Sequence, residues 1–183
     1  PNASVTKNLI LKNLAVTADH TSRFNGKVNS TNASLFGGSG AYANNTVNST
    51  VQANLGSKLN IVAETVDINA NNRVRKDDLP GDNVVSGSGG VVDLPATKSE
   101  SHVSTDTDVT IGNDTLITSI LPNAALGRIV MNALNDLAMS DSAKLDSGGA
   151  VAVAKAESYI YVDKSDADIT VGAGTVLSSD ETI

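Results

Sequence analysis

The sequence predicts an all-β chain, a parallel β-helix or β-solenoid. Three observations predict it: a repeat framed by glycines, aliphatic residues in alternating runs, and a near absence of large aromatics. A β-sandwich is the alternative, because it also uses many short strands and turns. The 183 residues include no cysteine, no tryptophan and five aromatics, Phe24, Phe36, Tyr42, Tyr159 and Tyr161. A compact globular core normally draws much of its buried area from aromatic side chains. Here Val, Ile, Leu and Ala are diluted among Asn, Ser, Thr, Asp and Gly, a mixture suited to short strands and frequent turns. Their ordered alternation argues against a disordered segment, which needs none.

The repeat decides the architecture. Three segments open on a glycine cluster, run through small and β-branched residues, and close on an aliphatic residue followed by glycine. The first runs from Gly37-Gly-Ser-Gly40 to Leu55-Gly56, the second from Gly87-Ser-Gly-Gly90 to Ile111-Gly112, and the third from Ser147-Gly-Gly149 to Val171-Gly172. They place repeat units near residues 37–66, 87–118 and 147–178 of one solenoid segment spanning 1–183, expected to belong to a longer chain. From the last opening glycine to the closing one is 22 residues in the second unit, 23 in the third, but 16 in the first. At about 3.3 Å per residue, some 20 residues make a compact coil of two or three short strands. Coils of similar size stack in parallel and align their buried side chains in ladders. The expectation is that Leu55, Ile111 and Val171 point inward at equivalent positions. Gly56, Gly112 and Gly172 would then serve the following turns by taking positive φ. On the third unit, Ala150, Ala152, Ala154 and Ala156 alternate with Val151, Val153, Lys155 and Glu157.

One segment reads differently. Between Pro122 and Met139 the residues Leu126, Ile129, Val130, Ala133, Leu134 and Leu137 follow a helical stripe. Pro122 and Asn123 suit a helix start and Ser140-Asp-Ser its end, so a short helical insertion is expected around 123–138.

The words Ser147-Gly-Gly-Ala-Val-Ala-Val-Ala-Lys-Ala-Glu-Ser158, Asp168-Ile-Thr-Val-Gly172, Asp108-Val-Thr-Ile-Gly112 and Gly37-Gly-Ser-Gly-Ala-Tyr-Ala43 resemble repeats of large filamentous bacterial adhesins. The leukotoxin-related filamentous adhesin group is the nearer likeness and filamentous haemagglutinin the looser one. The resemblance spans roughly residues 9–178. It implies a right-handed parallel β-helix on a secreted or cell-surface stalk that mediates adhesion or presents a tip.

Composition narrows the function classes. A net charge of −7 argues against nucleic acid, and the one basic cluster, Arg73-Val-Arg75-Lys76, runs straight into Asp77 and Asp78. No stretch approaches the roughly 18 consecutive apolar residues of a membrane helix, so no membrane insertion is expected. No catalytic residues or cofactors are assigned. His20 and His102 stand in no metal-binding spacing, and neither a nucleophile elbow nor a phosphate loop occurs. A polysaccharide-active β-helix enzyme is the catalytic alternative, and it would need convergent carboxylates beside a base. Asp163, Asp166 and Asp168 are weak calcium candidates, because they cluster without the 12-residue loop spacing of a dedicated site. Asn-x-Ser/Thr occurs at Asn2, Asn29, Asn32, Asn44, Asn48 and Asn113, a pattern that turn and ladder asparagines explain as well as glycosylation does. The expected partners are further repeats or sister copies through end-to-end strand pairing, with host or matrix carbohydrate on a lateral face. A self-polymerising extracellular filament is the second structural reading.

Overall fold

The computed structural model describes residues 7–77, 83–120 and 127–180. Among them are twelve strands and no helix. The first pass of the chain holds β1 (Lys7–Phe24), β2 (Val28–Ala33) and β3 (Phe36–Leu55), and the second holds β4 (Leu59–Lys76), β5 (Val84–Gly89) and β6 (Val92–Ile111). The third holds β7 (Leu116–Ser119), β8 (Arg128–Met139), β9 (Ala143–Ser147), β10 (Val151–Ala152) and β11 (Lys155–Val171); β12 (Val176–Ser179) opens a fourth.

The passes revisit three sheets in the same order. The first sheet joins β1, β4, β7 and β12, with β8 also on β4; the second joins β2, β5 and β9; the third joins β3, β10 and β11 to β6. Every pairing is parallel. This arrangement is compatible with a β-helix or solenoid, and the antiparallel pairing of a β-sandwich is absent among the described residues.

Stacking in register turns sequence alternation into ladders. Leu9, Ile61, Ile117 and Leu177 stand one above another through all four passes. Leu55, Ile111 and Val171 form a second ladder and Ala53, Val109 and Ile169 a third. Ile61, Ile111 and Ile117 are fully buried, whereas Ile169 and Val171 on β11, the last described layer of the third sheet, are 46% and 43% exposed. These ladders belong to an apolar core gathered around Val51, Ile61, Val66, Ile68, Val109, Ile111, Ile117 and Ile129. Away from it the interior is polar. Ser86, Asp93, Thr97, Ser99, Ser101 and Thr105 are all buried. Burial alone would push the Asp93 carboxyl up, but the Ser147 hydroxyl at 2.6 Å and the Gly148 amide at 3.3 Å donate to it and hold it below the usual range. At another corner Lys76 Nζ lies 2.8 Å from Asp141 Oδ1 with both side chains at 0% exposure, and it also donates to Ser101 Oγ at 2.8 Å.

The expected helix is a strand. β8 pairs with β4 from Arg128 to Met139, and residues 121–126, where the stripe begins, lie outside the described residues. The stripe misleads because positions four apart share a face in a strand as well as in a helix. Ile129, Met131, Ala133 and Leu137 stack on Val66, Ile68, Ala70 and Val74, while Leu134 faces outward and is 42% exposed. Ala63 pairs with Ser119 and Thr65 with Arg128, so Glu64 marks the break between β7 and β8 along β4. Ser119 Oγ ties the two sides of this break together, with the Glu64 carbonyl at 2.8 Å and the Arg128 carbonyl at 3.2 Å.

The turn glycines serve a purpose other than positive φ. Gly56, Gly112 and Gly172 precede the turns, and the left-handed residues come two positions later: Lys58 at φ 59°, Asp114 at 54° and Gly174 at 72°. What Gly112 and Gly172 permit is close stacking, since a Cβ would stand 2.6 Å from the Gly56 carbonyl carbon in one case and 2.7 Å from that of Gly112 in the other. The opening clusters also align differently from their sequence appearance. Gly89 pairs with Ala33, so the counterpart of Gly90 is Ser34, while Gly37 pairs with Asp93. Ser34 to Gly56 is 22 residues, which removes the short spacing of the first unit. The extra residue of the third unit is Asp163, skipped by the register between Val162 and Lys164 as a β-bulge.

Candidate functional site

The outward positions of the third sheet gather the three tyrosines of the chain. On β6, inward Thr97, Ser99 and Ser101 alternate with outward Lys98, Glu100 and His102. Stacking then sets Tyr42 and Glu157 on either side of Lys98, Asn44 and Tyr159 on either side of Glu100, and Thr46 and Tyr161 on either side of His102. Residues 117 positions apart in sequence, Tyr42 and Tyr159, thereby enter one patch.

Each tyrosine hydroxyl in the first two columns is anchored. Tyr42 Oη donates to Glu100 Oε2 at 2.6 Å and Tyr159 Oη to Glu157 Oε1 at 3.0 Å. The same carboxylates take a lysine each, Lys98 at 2.6 Å on Glu100 and Lys155 at 2.9 Å on Glu157. Lys98 Nζ also lies 5.9 Å from the Tyr42 ring centroid and 5.8 Å from that of Tyr159. The Tyr161 ring stacks on His102 at 4.7 Å and on Tyr159 at 5.8 Å, and His102 Nδ1 lies 3.0 Å from Asp163 Oδ2.

The bonds set the protonation states. The Lys98 ammonium, then the Tyr42 hydroxyl, hold Glu100 below its usual range, and Lys155, then Tyr159, do the same for Glu157. In return Lys98 and Lys155 are raised by Glu100 and Glu157. The same carboxylates raise Tyr42 and Tyr159. The Lys98–Glu100 and Lys155–Glu157 ion pairs are thus each joined to a neutral, oriented phenol, Tyr42 and Tyr159. Beside it Gly40 and Ala96 share a register position and floor a shallow depression of about 370 Å³ walled by Tyr42, Lys98, Lys155 and Glu157.

The acidic calcium candidates do not converge. Asp163 turns to His102, Asp166 lies 3.2 Å from Lys164, and Asp168 pairs in register with Asp108. No group of three or more metal-ligating side chains occurs among the described residues. His20 is exposed on β1, in register with Asn72 and far along the chain from His102. The Asn113 side-chain oxygen accepts from the Ala173 amide at 3.0 Å, a ladder contact between passes.

No protein-family model, curated protein or solved structure matches the chain. The functional reading therefore rests on the parallel stack and the tyrosine patch. In the sequence Tyr42, Tyr159 and Tyr161 stand out only as scarce aromatics. Their alternation with charged residues in Lys155-Ala-Glu-Ser-Tyr-Ile-Tyr161 and Lys98-Ser-Glu100 was the available signal.

Proposed function

We propose that the chain is a right-handed parallel β-solenoid forming a structural and adhesive segment of a secreted or cell-surface bacterial fibre. The carrying observation is the ladder Leu9, Ile61, Ile117 and Leu177, which runs through four passes while Ile169 and Val171 are left open on β11, the last described layer of the third sheet. A stack of this kind grows by adding passes, because each new one pairs its backbone with the exposed edge and covers the open ladder. The covering pass comes from further repeats or from a sister copy, and the resemblance to filamentous adhesin repeats supports the first source. Neither the carboxylate grouping nor the histidines favour a catalytic reading.

The test is association through the open end. Light scattering of the 183-residue chain is expected to show mass rising with concentration, and electron microscopy to show rods. Ile169→Lys places a charge on the open inward ladder and abolishes the association. A clean monomer at high concentration for the unmodified chain overturns end-to-end stacking.

A further inference from the structure

We propose that the depression over Gly40 and Ala96 is a binding site for a neutral saccharide, with a sugar ring laid against Tyr42. This names the ligand class of the adhesive face and rests on that part of the reading above.

Shape comes first. Gly40 and Ala96 are the small members of an outward column completed by Lys155 and flanked on one side by Tyr42, Lys98 and Glu157, and a Cβ on Gly40 would meet nothing within 4 Å, so the floor is open space. Tyr42, 54% exposed, stands at its side with its hydroxyl fixed on Glu100. A ring held this way loses little freedom when a ligand stacks on it. The negative π-face of a phenol suits the C–H face of a pyranose, whose hydroxyls project around its rim.

Polar chemistry supplies the rim. Lys98, Lys155 and Glu157 border the same depression, giving ammonium donors and a carboxylate acceptor within reach of sugar hydroxyls. Few placed polar groups around an apolar floor are what orient a small ligand.

Charge selects among ligands. Lys98 is paired with Glu100 and Lys155 with Glu157, so the site offers neither a free cation nor a free anion. An anionic polymer needs unpaired basic side chains and meets a chain of net charge −7. A cationic ligand would have to displace a lysine already in place. A neutral polyol is recognised without breaking either pair.

The experiment titrates the full chain with cellotriose, maltotriose and the trimer of N-acetylglucosamine, using a heparin oligosaccharide as the anionic comparison. Heat of binding and tyrosine emission are read together, the latter unobscured because the chain has no tryptophan. At least one neutral trimer is expected to bind. Gly40→Leu fills the depression from open space and Tyr42→Ala removes the platform; each lowers affinity about tenfold or more, with thermal unfolding unchanged for Gly40→Leu. Leu134→Ala, on the outward face of β8 in a different sheet, leaves affinity within about twofold. Binding unaffected by both Gly40→Leu and Tyr42→Ala, binding of heparin alone, or no binding by any neutral trimer overturns the site. Light scattering on the same samples reads the fibre proposal separately, so loss of one does not entail loss of the other.

Discussion

Replacing Ile61 and Leu177 by alanine deletes the same number of carbons from one ladder, because isoleucine and leucine are isomers. Ile61 has 0% exposure and lies between Leu9 and Ile117, while Leu177 is half-buried and has Ile117 on one side only. Removing three buried carbons costs about 2.4 kcal/mol at about 0.8 kcal/mol each. A hole closed above and below adds a cavity penalty, which brings Ile61→Ala to about 3–4 kcal/mol. At Leu177 the hole opens to water and part of the side chain is already hydrated, so the cost falls to about 1 kcal/mol. Urea unfolding followed by circular dichroism, at a concentration where scattering shows a single species, gives both values. Equal losses in the two variants would falsify the ladder, since only burial between passes separates them.

Gly112→Ala forces a Cβ against the backbone of the preceding pass and is expected to cost about 1–3 kcal/mol, whereas Gly56→Ala, with open space at that point, stays within about 0.5 kcal/mol in the same denaturation assay. Lys76→Met leaves Asp141 buried without its cation and should cost about 3–5 kcal/mol, while the double change with Asp141→Leu recovers most of that loss; a single-variant loss that the double change fails to recover rules out charge burial as its cause. Glu100 and Glu157 have folded pKa values below the ordinary 4.5, so the stability they add is present above that value and is lost as pH falls through the lower folded values. Melting temperature should therefore decline in acid below about pH 4.5, and Glu100→Gln with Glu157→Gln should flatten the decline. Tyr42 and Tyr159 ionise above the ordinary 10.0, which ultraviolet titration reads as a delayed phenolate signal restored to normal in that double variant.

Much of the fold is legible in the chain because stacking needs only alternation and a repeated stop. Leu55-Gly56, Ile111-Gly112 and Val171-Gly172 lie in matching register because each ends a strand of the third sheet before the same corner. Glycine clusters were a poorer ruler. Gly90 is required where a Cβ would stand 2.0 Å from the Ser34 carbonyl oxygen, but the first pass solves the same corner with serine, and Gly37 answers to a different position. The stripe from Ile129 to Leu137 fails as a helix because backbone pairing with β4 is a tertiary fact that local periodicity does not contain. The tyrosine patch was hidden for a related reason. Which outward residues become neighbours depends on the offset between passes, and Lys98 meets Tyr42 at 56 residues and Glu157 at 59.

That variable offset has an evolutionary consequence. Asp163 adds one residue at a bulge, and eight residues of sequence separate Ser119 from Arg128 where only Glu64 separates their partners Ala63 and Thr65, yet Ser165 to Val171 and Arg128 to Met139 resume the column beneath their counterparts. Insertions and deletions are absorbed between ladder segments and do not propagate along the axis. Natural selection can thus lengthen, shorten or redecorate one layer while its neighbours stay untouched. Spacing and side-chain identity are free to drift, and what inheritance must conserve is the parity of inward and outward residues and the few places where two backbones touch.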